Sequence, residues 1–164
     1  MAQSLTFKGK GLSKKYQAMA KAMPTLVRDE MMSIARDAQE DFEKTVVTWK
    51  NKPAFYIDER PRSYVVETDD EIYGFVDKGT KPHKIEPVNA NALAFQGGYQ
   101  AKTTPRVIAS RPGGPSGSVV FAASVQHPGT EARGFTKIIL TRWQKQVEPR
   151  MRAALKGGIE AVGL

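Results

Sequence analysis

An α+β fold with a helix first, an antiparallel β-sheet in the middle and a helix last is predicted by three observations. Apolar residues recur at steps of three and four from Leu12 to Phe42, alternate in twos between Ala54 and Asp77, and return at four-residue steps from Phe135 to Leu155. No internal repeat or long linker interrupts the 164 residues, so the expectation is a single domain. A chain of roughly 150 residues buries about 68–70% of its unfolded surface, enough for a core without a covalent staple.

The N-terminal stripe runs through Leu12, Tyr16, Met19, Met23, Leu26, Val27, Met31, Ile34, Ala38 and Phe42. Pro24 is tolerated in a first helical turn but not in an interior, so it predicts a short helix or basic arm over 1–23 and a main helix from about Pro24 to Val46. Asp29 and Glu30 then sit near the positive end of that helix dipole. Three β-rich stretches follow, 54–59 (AFYIDE), 62–68 (RSYVVET) and 71–77 (EIYGFVD), with Arg60-Pro61 and Asp69-Asp70 as the turns of a meander.

From 78 to 118 the sequence is irregular, with short strands expected at 92–95 and 106–109. The stretch 110–118 is rich in Pro, Gly and Ser and reads as a flexible loop. SVVFAASV at 118–125 is the expected core strand, broken by His127-Pro128-Gly129-Thr130. The last helix is expected from Thr130 or Gly134 to Lys156, kinked near Pro149 and ended by Gly157-Gly158, with 157–164 a loose tail.

The absence of cysteine removes disulfide frameworks, thiolate zinc sites, iron–sulfur clusters and Cys nucleophiles. No apolar run approaches the length of a membrane span and no apolar segment follows the N-terminal lysines, so a soluble chain is expected. The net charge is +8, and it is segregated: 1–28 carry +6, 29–45 carry −4, 46–77 carry −3 and 78–164 carry +9. One body with surfaces of opposite sign can dock copies of itself or bring a basic face to DNA.

Catalytic patterns are weak. His83 and His127 each adjoin a proline, and with Glu86 and Glu131 nearest in sequence they lack the spacing of a zinc site. They read as turn residues. No nucleophile elbow, phosphate loop or dinucleotide fingerprint is present, and Ser110, Ser116 and Ser118 lie in flexible sequence. Glu67, Asp69, Asp70, Glu71 and Asp77, with Lys78 or Lys81, would be the carboxylates of a metal-dependent nuclease, but strand alternation divides them between two faces. The expectation is therefore a non-enzyme without cofactor or metal. Lys81, Lys84, Lys102, Arg106 and Arg111 collect in loop-rich sequence, where they would contact phosphate, or a neighbouring subunit, without reading bases.

Two phrases and their order carry a resemblance. Gly79-Thr80-Lys81-Pro82-His83-Lys84-Ile85-Glu86-Pro87 is followed by Ala92-Leu93-Ala94-Phe95, then by Val125-Gln126-His127-Pro128-Gly129-Thr130 with Phe135 just inside the final helix. Over roughly 12–155 the chain resembles the neck or tail-completion family of long-tailed bacteriophages, also described as minor tail components. The segment 103–118 matches none of its phrases.

The resemblance implies a non-enzymatic virion protein at the head–tail junction or the top of the tail, made in the host cytoplasm. It implies a homo-oligomeric ring, six copies being the expected number, with DNA passing through and other neck, connector and tail proteins as neighbours. The alternatives it leaves are a tail terminator, which has a related layout, and a non-specific DNA- or RNA-binding protein. In the family reading, Gly79, Thr80, Pro82, His83, His127, Pro128, Gly129 and Thr130 are structural turns at strand ends. Gly129 beside Pro128 is expected to set the angle at which the last helix begins.

Overall fold

A computed structural model describes residues 14–110 and 112–163. Its elements are α1 (Lys14–Lys44), β1 (Tyr56–Arg60), β2 (Ser63–Glu67), α2 (Glu71–Lys78), β3 (His83–Ile85), β4 (Leu93–Gln96), β5 (Val119–Ala122), β6 (Val125–His127) and α3 (Phe135–Ala161). The α+β class with long first and last helices is as expected, but the single sheet is not. Three separate two-stranded antiparallel ladders form instead, β1 with β2, β3 with β6 and β4 with β5.

Within this single domain, two compact units are defined by close contacts: Met1–Ile34 with Lys145–Leu164, and Ala35–Gln144. In the first, α1 and α3 run antiparallel. Glu30 accepts from Arg150 Nε at 2.7 Å, Ser33 accepts from the same guanidinium at 2.9 Å, and Lys15 Nζ donates to the Gly163 carbonyl at 2.8 Å. This pairing overrides two sequence expectations. Pro24 lies inside a continuous α1, flanked by the strong helix formers Met19, Ala20, Ala22 and Met23, and does not split it. Gly157 and Gly158 likewise lie within α3, where Gly158 approaches the Leu26 side chain of α1 and Gly157 has open space around it. The described part of the expected loose tail is mostly helix.

The second unit holds an aromatic core. Val46, Phe55, Tyr73, Phe135 and Ile139 are buried, with Phe42, Trp49, Val66, Val76, Ile108 and Trp143 packed around them. Tyr73 is central: Phe55 meets it edge-on at 5.0 Å between ring centroids, and Phe135 lies at 6.0 Å on a nearly parallel ring. Asp41 is buried beside this cluster, accepting from Lys44 at 3.0 Å, Arg142 at 3.0 Å and the Trp143 indole at 3.1 Å. Gln39 Nε2 donates to the Phe55 carbonyl at 2.7 Å, tying α1 to the strand that follows.

The stretch 71–77, expected as a strand, is helix α2. The Asp69-Asp70 pair is no strand-to-strand turn: Asp70 caps the helix by accepting from the Tyr73 amide at 2.7 Å, and Glu71 favours the positive end. Tyr73 therefore points inward from a helix while Ile72 and Phe75 stay exposed. At the far end of α2, Asp77 accepts the Thr136 amide at 3.1 Å and so caps α3 from outside.

The expected strand at 106–109 is also absent. Arg106 has φ +63°, a left-handed conformation that ends any extended run, and Ile108 reaches the aromatic core from an irregular segment.

Candidate functional site

The two histidine phrases are partners of each other. β3 and β6 pair antiparallel with His83 opposite His127, Lys84 opposite Gln126 and Ile85 opposite Val125. Three residues further out, the Thr80 and Thr130 backbones exchange bonds at 2.9 and 3.1 Å, and the Thr130 amide also lies 3.0 Å from the Thr80 hydroxyl. Gly79 (φ +76°) and Gly129 (φ +87°) are where each phrase presses on the other's backbone. A side chain on Gly79 would meet Thr130 and Ala132, and one on Gly129 would meet Thr80, Lys81 and Pro82.

Gly129 is thus needed for close approach of two chain segments. The start of α3 is set five residues later, where Gly134 (φ +67°) donates to the Asp77 carbonyl at 3.0 Å.

The imidazoles face each other with centroids 5.0 Å apart and planes at 31°. His83 Nδ1 is 2.9 Å from the Lys81 carbonyl and must donate to it, while His127 Nδ1 accepts the Gly129 amide at 3.0 Å. The partners fix opposite tautomers, and both rings are engaged in shaping their own turns. Among the described residues no three His, Cys, Asp or Glu side chains gather as a metal site.

The acidic residues that a nuclease would need have structural places, Glu71 in the first turn of α2 among them. Glu67 accepts from Arg60 at 2.6 Å, Asp69 accepts from the Tyr56 hydroxyl at 2.9 Å, and Asp70 and Asp77 are caps. The Asp69 carboxylate and the charges around it push the Tyr56 phenol upward, and Asp58 does the same for the Arg60 guanidinium.

The basic residues do not gather on one element. Lys81 is exposed beside β3, and Lys84 pairs with Glu86 at 2.5 Å. Lys102 is half-buried with Nζ donating to the Thr48 carbonyl at 3.1 Å, and Arg106 is exposed with its amide bonded to the Arg133 carbonyl. Arg111 lies outside the described residues.

The largest departure from sequence expectation is the ribbon of β4 and β5. Its register places Leu93, Phe95, Val120 and Ala122 on one face and Ala94, Gln96, Val119 and Phe121 on the other. Both faces are open: Val120 is 43% exposed on the first, and Val119 and Phe121 are 57% and 73% exposed on the second. The strand expected to lie in the core is therefore on the surface: among the described residues β4 is its sole strand partner, and side chains on both faces reach solvent.

Residues 88–101 and 112–126 contain no charged side chain. The ribbon thus lacks the charges, prolines and bulges that guard exposed edges in most sheets. Its base is tied down across 97–117, where Gly97 accepts from Ser116 and Gly117, and Gln100 and Gly114 exchange bonds at 3.0 and 2.8 Å. The described part of the supposed flexible loop is held by these bonds.

Among the described residues no helix is long and apolar enough to cross a membrane. Comparison with protein families, curated proteins and solved structures finds no match to this chain.

Proposed function

We propose that this chain is a structural protein of a tailed-bacteriophage virion, assembling as a homo-oligomeric ring at the head–tail junction that joins tail to head and surrounds the DNA path. The observation that carries the reading is the uncharged β4–β5 ribbon, largely apolar on both faces and, among the described residues, unpaired along both outer edges. An isolated two-stranded ribbon is marginal in water, and one without guarding charges invites pairing with another chain.

The occupant is a neighbouring copy. Charge is segregated along the chain, acidic over 29–45 and 46–77 and basic over 1–28 and 78–164, and a head-to-side contact between unlike regions of two copies closes into a ring when the rotation permits. The order of phrases shared with the neck or tail-completion family supports the same reading.

The test is imaging of phage particles made without this protein. Full heads beside unattached tails are expected, and normally joined particles would overturn the proposal. In vitro, purified protein should sediment as a closed oligomer, and Phe121→Lys with Val119→Lys should leave a folded monomer.

A further inference from the structure

A cleft of about 440 Å3, open to solvent on one side, lies at the foot of the ribbon, within the second unit. Trp49, Ile72, Val76 and Tyr99 give it apolar walls, and Lys102 and Arg133 bring two half-buried cations to it. Lys50 adds a third cation, and no Asp or Glu is among the lining residues.

The cations are held but not neutralised. Lys102 Nζ donates to the Thr48 carbonyl at 3.1 Å, and Arg133 Nε donates at 3.1 Å to the hydroxyl of buried Thr103. Neither has a carboxylate partner among the described residues. The Arg133 amide is fixed too, donating to the Val76 carbonyl at 3.1 Å, so the residue is positioned by both backbone and side chain. With Nε engaged, its two Nη groups remain as a fork of donors.

Cations drawn partly out of water without a counter-charge are unfavourable unless an anion joins them, and a guanidinium fork suits the paired oxygens of phosphate or carboxylate. The volume lies within the range of small-molecule sites, in which apolar walls take the body of a ligand and a few fixed polar groups orient it.

We propose that this cavity binds a small oxyanion carried on an aromatic body, with Arg133 and Lys102 holding the oxygens and Trp49 and Tyr99 flanking the ring. The site needs no second copy, so its fate is independent of the assembly reading.

The experiment is titration of the full-length protein with phenyl phosphate, phenylacetate and inorganic phosphate, followed by calorimetry and by the indole N–H resonances of the two tryptophans. One of the organic anions should bind saturably at one per chain, and at least about tenfold more tightly than inorganic phosphate. The Trp49 resonance should move while that of Trp143, fixed on Asp41, stays in place. Preference for phenyl phosphate assigns the site to phosphate esters, and preference for phenylacetate assigns it to carboxylates.

Arg133→Gln and Lys102→Met should each weaken binding about tenfold, the equivalent of ~1.4 kcal/mol. If Arg133→Gln disturbs the fold through Thr103, Lys102→Met alone decides, because its loss removes a single bond to a carbonyl. Absence of saturable binding by either organic anion, or binding unchanged in Lys102→Met, would overturn the proposal.

Discussion

The aromatic cluster around Tyr73 and the ribbon of β4 and β5 are made of the same kinds of residue, yet the chain treats them in opposite ways. Phe55, Tyr73 and Phe135 come from a loop, a helix and a helix start and are all but sealed from water. Val119, Val120 and Phe121 sit in regular strand and face solvent. What separates them is the number of elements that converge. The cluster receives side chains from α1, the segments after it, α2 and α3, whereas among the described residues the ribbon is built from its own two strands. Apolar sequence records that a surface will be covered, without recording by which chain.

Substitutions can break or sharpen this contrast. The largest effect on stability is expected in the cluster: Phe135→Ala, at a fully buried position, should cost about 3–5 kcal/mol in denaturant unfolding. Asp41→Ala should cost about 1–3 kcal/mol, because it removes the buried carboxylate that accepts from Lys44, Arg142 and the Trp143 indole, and thermal melts would register it.

A pH effect follows from Tyr73. Its phenol is pushed well above its ordinary 10.0, chiefly by burial, with the Asp77 charge adding and the Thr45 hydroxyl opposing. The unfolded chain loses this proton near pH 10 while the folded chain keeps it, so the contribution is intact below pH 10 and falls away as pH rises further. Unfolding titrations above pH 10 should show that slope in the wild type and a shallower one in Tyr73→Phe.

The smallest effect on monomer stability belongs to the ribbon. Phe121→Ser should change it by no more than about 0.5 kcal/mol while abolishing assembly, as read by light scattering. A loss comparable to that of Phe135→Ala would mean that the ribbon is part of the core after all, and the contrast would fail.

The parts of the fold legible in sequence are those where local pattern and final environment agree. The stripes of α1 and α3 announce helices, and the Arg60-Pro61 turn signal announces the β1–β2 hairpin. Pro24 and Gly158 misled because a local penalty was outweighed by helix formers on one side and by packing with Leu26 on the other. Residues 71–77 misled because inward and outward positions over so few residues fit either period. The signal that distinguishes them, Asp70 before Glu71 at a helix start, also reads as a turn.

The histidine phrases could be picked out from their Gly and Pro, but their pairing with each other could not, since nothing in either names its partner across more than forty residues. The cavity was hidden for the same reason. Lys102 was visible as a loop cation, whereas Trp49 and Arg133 acquire their place beside it only through the fold.

The joining of Thr80 to Thr130 also bears on how the chain reaches this state. Their bonds close a loop of fifty residues, for which the length-dependent part of the closure entropy is about 3.5 kcal/mol, whereas the β1–β2 hairpin closes over a two-residue turn. Formation of the hairpin is therefore expected to precede the closure, and the meeting of the two glycine-bearing phrases is the expected slow step in refolding. The β4–β5 ribbon lies within that loop and carries no charge to keep nascent chains apart. Refolding yield should consequently fall as protein concentration rises, because strands from different chains compete for each other before the fifty-residue loop has closed.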